Sequence, residues 1–197
     1  MEELNFLDFI KGCDLDPITY QYWHQLFHNR TIIFNDEVGE DIVEKVYLPL
    51  MDFENDDCTT PVTLILNSCG GSVTEGFFFA HYLKNYKKPL NIIVCGCAAS
   101  MAAVILAAGG KNPNITRKCY PSSYLLIHDG FITIGTSESK TAIDFVDFNN
   151  TVDKDIRDFI LTNTNISAEL YDSKTRKQWF IKAEEAKSLN LIDEIIE

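Results

Sequence analysis

The strongest constraint in this sequence is residues 92–108, a run without a single charged side chain. Its length approaches that of the shortest membrane spans, about 17 residues. However, its two parts differ in composition. IIVCGC is short and rich in β-branched residues, AASMAAVILAA consists of small, helix-favouring residues, and Gly96 lies close to the boundary. A buried strand leading into a buried helix explains the run better than a membrane span, and we predict that arrangement.

The rest of the chain alternates short apolar strands with helical patterns. Further strands are predicted at residues 30–34, 62–66, 124–127 and 191–196, and helices at 17–27, 40–53, 74–86, 141–161 and 183–189. Residues 111–121 are polar, contain two prolines and are predicted to form a loop. The alternation is typical of an α/β fold whose mostly parallel sheet is covered on both faces. Because no repeat or long linker interrupts it, we expect one domain over residues 1–197.

The charge and the cysteines limit the choice of partners and compartment. A formal net charge of -12 argues against binding to nucleic acid or to anionic lipid, both of which require clustered basic residues. The six cysteines include Cys95 and Cys97, whose spacing fits neither a zinc knuckle nor a redox pair. The acidic N-terminus lacks the basic and apolar regions of a signal peptide. We therefore expect reduced thiols, no metal, no cofactor and a cytoplasmic location.

Three candidate sites lie where predicted strands end, the edge at which open α/β sheets bind ligands. Gly70 and Gly71 follow VTLILNSC, and together they form either an anion-binding turn or an ordinary tight turn. Ser100 lies between a strand and a helix among small residues, and it is either a nucleophile or a helix cap. His128 follows YLLI, and it is either a general base or a structural histidine.

Four segments in order resemble the proteolytic subunit of the Clp protease. They read NSCGGSVTEG, CGCAASMAAVILAAG, LLIH and AEEAKSLNLIDEII, and the likeness extends over residues 20–196. The resemblance implies a spiral of ββα units, as in crotonases, with a protruding long "handle" helix in residues 131–163. It also implies that Ser100 is the nucleophile and His128 the general base. The amides of Gly71 and Met101 would then form the oxyanion hole.

The same resemblance implies a function and an assembly. Members of this family are serine endopeptidases that cleave unfolded polypeptides or peptides through an acyl-enzyme. Their subunits form seven-membered rings, two of which stack around a closed chamber fed by a hexameric AAA+ ATPase. For this chain we therefore expect a homo-oligomeric, ATP-dependent peptidase.

The chain departs from the family pattern in several places. Gln178 occupies the position at which the family has the aspartate of its catalytic triad, and Asp172 is the nearest upstream carboxylate. An amide accepts a hydrogen bond from imidazole but does not stabilise imidazolium as a carboxylate does. Cys69 replaces a common proline, which leaves a thiol of inert or redox character beside the site. Residues 109–121 form a longer segment than usual, and residues 1–17 do not resemble the axial loop that contacts the ATPase.

Three other functions remain open on the sequence alone. The chain could be a weakly active or inactive structural subunit of a mixed Clp ring. It could be an acyl-CoA-binding relative of the crotonases, although no basic patch for the CoA phosphates is evident. It could also be a signal-peptide peptidase with a Ser–Lys pair, since Lys111 follows Ser100 by eleven residues, but no membrane anchor is predicted.

Overall fold

The computed structural model describes residues 16–130 and 139–197. The strands within these ranges are β1 Thr31–Asn35, β2 Val62–Ser68, β3 Leu90–Ala99, β4 Ile115–Cys119, β5 Tyr124–Ile127, β6 Trp179–Lys182 and β7 Glu194–Ile195. The α-helices are α1 Pro17–Asn29, α2 Leu48–Asn55, α3 Val73–Asn85, α4 Met101–Ala108, α5 Ser139–Asn163, α6 Ala168–Lys174 and α7 Ala183–Ser188. Most of the divergent segment predicted for residues 1–17, and residues 131–138 of the predicted handle region, lie outside the described residues.

A mainly parallel sheet organises the described part of the chain. Strands β1, β2, β3, β4 and β7 lie side by side in that order, each parallel to its neighbour. Strand β5 pairs in parallel with the end of β3, and β6 joins β5 antiparallel. The α/β architecture with a mostly parallel sheet is therefore confirmed.

Strand β3 changes partners along its length, and this change builds the candidate site. Its first half, from Leu90 to Val94, pairs with both β2 and β4. The ladder with β2 is irregular around Gly96, which adopts a φ of 110°. After that break, β5 replaces β4 as the partner of Cys97 to Ala99, while Ala98 still pairs with Ser68 of β2. The register shift carries the end of β3, and Ser100 after it, beside the strand that ends at His128.

The uncharged run folds as predicted, into the end of β3 and helix α4. All eight residues of α4 are buried, at most 2 % exposed. Alanines dominate this helix, and their small side chains let α3 and α5 pack closely around it. Among the described residues, no helix is both long and apolar enough to cross a bilayer.

The loop predicted over residues 111–121 is partly wrong, because residues 115–119 form β4. The charged residue at its centre, Arg117, is fully buried and donates to both oxygens of Asp193. It also donates to the carbonyl and side-chain oxygens of Asn190. A paired arginine thus occupies an inward position that a pattern search reads as polar. The predicted helix over residues 40–53 instead begins as a π-helical segment, Val43–Tyr47, that leads into α2.

Helix α5 is the longest in the described chain and lies across the core. Prediction placed it at residues 141–161, and it extends over Ser139–Asn163. Its C-terminal half contributes the buried side chains of Phe159 and Ile160 and packs on α4. In its N-terminal half, by contrast, large apolar side chains such as Phe148 are exposed. One end of α5 is thus fixed to the body of the protein and faces the candidate site.

Candidate active site

A small cleft lies where β3 and β5 end and α5 crosses them. Its volume is about 140 Å³. It is lined by Gly71, Val73, Ser100, Met101, Val104, Ile127, His128, Gly130, Ile156 and Ile160. Four of these residues are the ones singled out in the sequence: Ser100, His128, Gly71 and Met101. The fold therefore brings together segments that are far apart in the chain.

Ser100 occupies the sharp turn between β3 and α4. Its backbone has φ 53° and ψ -124°, a conformation that costs a non-glycine residue on the order of 1–3 kcal/mol. The turn is held by a hydrogen bond from Ser100 N–H to the Leu126 carbonyl, 2.8 Å long. The side chain makes no capping hydrogen bond to the helix it precedes. The hydroxyl is thus not used as a cap, the alternative role considered for it above.

Gly70 and Gly71 lie directly beside this turn. Only glycine fits at these two positions, because a side chain would collide with the neighbouring backbone. Gly70 has φ 93°, and a Cβ on it would lie 2.6 Å from the Ala99 carbonyl oxygen and 2.9 Å from Met101 N. Gly71 has φ 146°, and a Cβ there would collide with the backbone of Val38. Gly70 therefore lies directly against the Ser100 turn and the first residue of α4, and Gly71 lies against Val38.

The amides of Gly71 and Met101 are placed to receive an anion. Val38 bridges the glycine turn through Gly70 O and Ser72 N, each bond 2.7 Å long, and so leaves Gly71 N–H out of the bridge. Met101 is the first residue of α4, where helix N–H groups lack intrahelical partners. Among the turn and loop backbone hydrogen bonds of the described residues, neither amide is a donor. Two main-chain donors at the mouth of one cleft can stabilise an oxyanion.

His128 follows the last residue of β5 and is half-buried. Its Nδ1 lies 2.5 Å from the carbonyl oxygen of Asp129. Because a carbonyl only accepts, Nδ1 is the donor in this contact, and in a neutral ring Nε2 then has the lone pair that a general base requires. The loop is anchored by a 3.2 Å hydrogen bond from Asp129 N–H to the Thr175 carbonyl. Within the described residues, no hydrogen bond joins the His128 ring to the Ser100 hydroxyl, so the two share the cleft in an unengaged arrangement.

Gln178 lies next to His128 across the β5–β6 pair. The antiparallel register pairs Ile127 with Trp179, so the residues just beyond them, His128 and Gln178, face each other at the end of the ladder. Gln178 is exposed. No hydrogen bond links it to the imidazole in the described part of the chain. The position aligned with the family's aspartate therefore lies beside the histidine but supplies no charge.

Asp172, the other carboxylate considered for this role, is bound elsewhere. It lies on α6, and its two oxygens accept from Arg157 Nε and Nη2 at 2.6 and 2.9 Å. The hydrogen bonds from Arg157 lower the pKa of Asp172. The structure does not bring this carboxylate to His128.

Asp153, a carboxylate that the sequence reasoning missed, lies close to the site. It projects from α5 and accepts a hydrogen bond from Gly130 N–H, two residues after His128. Burial raises the pKa of the Asp153 carboxyl, and the hydrogen bond from Gly130 opposes that rise. A signal was available: Asp153 precedes Ile156 and Ile160 by three and seven residues, which places a carboxylate on the apolar face of the helix.

Two thiols lie beneath the glycine turn. Cys69 is exposed and Cys97 is buried, with its Sγ 3.5 Å from the Ser68 carbonyl oxygen. Burial raises the pKa of the Cys97 thiol, and the neighbouring Cys69 thiol adds to the rise. In the described ranges every cysteine is unpaired, and no group of His, Cys, Asp or Glu is arranged to hold a metal ion.

The comparisons with known proteins agree on one family. The family model described as Clp protease matches residues 16–197. The chain is similar to an ATP-dependent Clp protease proteolytic subunit of Cyanophora paradoxa, with 33% identity over 172 residues, 87% of this chain and 86% of that protein. It is also similar to proteolytic subunit 2 of Prochlorococcus marinus subsp. pastoris, with 30% identity over 183 residues, 90% and 89% of the two chains. The resemblance drawn from the four motifs is thus confirmed: the chain belongs to the Clp protease family.

Proposed function

We propose that this protein is a serine endopeptidase and a proteolytic subunit of a Clp-type ATP-dependent protease. The observation that carries the proposal is the cleft shared by Ser100, His128, Gly71 and Met101. A hydroxyl, an imidazole with a free Nε2 and two unpaired amides are the groups that acyl transfer requires. Membership of the Clp protease family supports the same function.

In the proposed mechanism, a peptide carbonyl enters the cleft and Ser100 Oγ attacks it. His128 Nε2 takes the hydroxyl proton during the attack and then gives it to the leaving amine. The negative charge on the tetrahedral intermediate is stabilised by the N–H groups of Gly71 and Met101. Water, activated by the same imidazole, later hydrolyses the acyl-enzyme and restores Ser100.

The unengaged Ser100–His128 pair describes a resting enzyme. A rotation of the imidazole away from the Asp129 carbonyl would bring Nε2 towards Ser100, and catalytic hydrogen bonds often tighten only when substrate binds. We propose that substrate binding or ring assembly drives this change. In this proposal, Ser100 and the two amides keep their positions and the ring of His128 is the part that moves.

The partners are proposed on the same basis. We propose unfolded polypeptides as substrates, a homo-oligomer of one or two heptameric rings and a hexameric AAA+ ATPase as the feeding partner. The exposed apolar residues Ile143, Phe145 and Phe148 on α5 support a contact between subunits. A cytoplasmic location stays a prediction.

The test is labelling of the purified protein with a fluorophosphonate, combined with its mass in solution. The proposal predicts one label per chain, loss of the label in Ser100→Ala and a mass of at least seven subunits. Ser122→Ala, which removes an exposed hydroxyl from a turn, is the matched control and keeps the label. Equal labelling of Ser100→Ala and the wild type would contradict the proposal.

A second candidate function is favoured by Gln178. Without a carboxylate at the family's acid position, the chain could serve as a weakly active or inactive structural subunit of a mixed Clp ring. This alternative predicts the same assembly but labelling far slower than that of a typical serine peptidase. The two experiments above therefore separate the candidates: assembly without labelling supports the structural subunit.

A further inference from the structure

The proposed mechanism leaves one charge without a counterpart. When His128 takes the proton of Ser100 it becomes a cation, and a triad normally supplies a carboxylate to stabilise it. Gln178 carries no charge, and Asp172 is held by Arg157. In this chain, the stabilising charge must come from another element.

Asp153 lies on α5 and contacts the loop that follows His128. Ile156 and Ile160, which follow it on the same face of α5, line the cleft itself. The carboxylate packs on the backbone of Gly130, where even a Cβ would collide with Oδ1. Since Gly130 also lines the cleft, the carboxylate is fixed against the segment that carries His128.

The surroundings of Asp153 combine burial, one backbone amide and the charges of Asp129 and His128. Burial raises the pKa of Asp153, the amide of Gly130 lowers it, the charge of Asp129 raises it and the charge of His128 lowers it. In general, an ionised carboxylate held near an imidazole favours the protonated form of the ring. The other charged or titratable groups on this side are Lys154 and Arg157 on α5, Tyr171 and Asp172 on α6, and Arg176 after it.

We propose that Asp153 is the positioning residue for His128: it supplies, from helix α5, the negative charge that stabilises the imidazolium formed during acyl transfer. The inference rests on the proposed function. It differs from the family's arrangement, in which the acid comes from the segment before β6. Asp153 acts through the electric field and through the Gly130 backbone, with no direct hydrogen bond to the ring in the resting state.

Asp129 is a weaker source of the same charge. It follows His128 directly, but its side chain is exposed, where water and salt screen a carboxylate. The group it offers the ring is its backbone carbonyl, which is neutral. Asp153 is partly desolvated, so its field at the imidazole is screened less.

The test compares Asp153→Asn with Asp155→Asn, a matched change at an exposed position of the same helix. An asparagine oxygen still accepts from Gly130 N–H, so the variant removes the charge and keeps the hydrogen bond. The first readout is the pH titration of the His128 ring signal in ¹³C-histidine-labelled protein, assigned by its loss in His128→Gln. The second is the rate of fluorophosphonate labelling as a function of pH.

For Asp153→Asn we expect the midpoint of the His128 ring titration to fall by about 0.5–1 pH unit. The labelling rate should fall about 10- to 100-fold, and the acidic limb of its pH profile should move to lower pH. Asp155→Asn should change neither readout, and Asp153→Glu, which restores the charge, should return the midpoint towards that of the wild type.

The two readouts keep this inference separate from the proposed function. An unchanged midpoint in Asp153→Asn overturns the role of Asp153, whatever the labelling rate. A shifted midpoint in a protein that does not label at Ser100 supports the pairing of Asp153 with His128 and contradicts the peptidase. If Asp153→Asn does not fold, Asp153→Glu is compared with the wild type. A different midpoint of the His128 ring titration in Asp153→Glu then overturns the inference.

Discussion

Gln178 is the residue at which this chain departs most sharply from a charged triad. It faces His128 at the end of the β5–β6 ladder, is exposed, and has room for a carboxylate. A negative charge there would stabilise the imidazolium that forms as Ser100 attacks. In the proposed mechanism, the rate of acyl transfer therefore depends on which side chains place a negative charge near the imidazole of His128.

We expect Gln178→Asp to raise the rate of fluorophosphonate labelling and of peptide cleavage by about tenfold or more. The measure is the second-order labelling rate constant at neutral pH. Lys177→Asp places the same side chain one residue earlier, in the exposed segment before β6, and should give no gain. An unchanged or lower rate in Gln178→Asp would contradict the alignment of residue 178 with the acid position.

The strand–turn–helix elements at Gly70–Gly71 and Ser100 are held together by close backbone contact. Gly70 faces the Ala99 carbonyl and Met101 N with no space for a side chain, and its φ of 93° disfavours any other residue. Gly39 provides a contrast, because a Cβ there has open space within 4 Å. The shape of the oxyanion site thus depends on one glycine between two elements.

We expect Gly70→Ala to lower the free energy of unfolding by at least about 2 kcal/mol, because it adds a backbone collision to an unfavourable φ. Gly39→Ala should change it by less than about 1 kcal/mol. Urea unfolding at one fixed protein concentration measures both. Equal stabilities of the two variants would show that the glycine turn does not pack on α4 in this way.

A second element-scale prediction concerns the ion pair between the buried Arg117 and the more exposed Asp193, which joins β4 to the segment before β7. Asp193→Asn leaves the guanidinium of Arg117 without its charge partner in the core and should cost about 2–4 kcal/mol of unfolding free energy. Glu194→Gln breaks the more exposed pair with Lys118 and should cost under about 1 kcal/mol. Similar losses in the same urea assay would contradict the assigned role of Arg117.

These elements also show what the sequence could and could not predict. Helix α4 and strands β2, β3 and β5 were predicted because apolar runs report burial directly. Strand β4 was missed because its central inward residue is a charged arginine, whose partner lies 76 residues away. Ser100 and His128 were found because each follows an apolar strand, whereas Asp153 depends on how α5 lies across the sheet. The local spacing places Asp153 on the apolar face of α5, but the residues that it meets there are set by long-range packing.

On the scale of the whole molecule, the N-terminal half of α5 exposes large apolar side chains that would be unfavourable on an isolated subunit. Ile143 and Phe148 are 60% and 64% exposed, although the protein carries a formal net charge of -12 and an otherwise polar helix surface. Apolar residues grouped in this way favour burial against another subunit. The acidic charge in turn favours solubility over adhesion to polyanions.

We expect Phe148→Glu to reduce the mass in solution, because a charge at this position would have to be buried without a partner. Asn150→Glu adds the same charge to an exposed polar position of the helix and should leave the assembly intact. Sedimentation velocity at several protein concentrations measures the outcome. An identical mass for Phe148→Glu and the wild type would show that this part of α5 lies outside the contact.

The central claim is that Ser100 is a nucleophile activated by His128, and the most direct measurement is the site of covalent modification. After treatment with a fluorophosphonate, digestion and mass spectrometry should locate one adduct on Ser100 in the wild type. The adduct should be lost, or slowed at least about 100-fold, in His128→Ala. An adduct on another residue, or one that forms at the same rate without His128, would contradict the account.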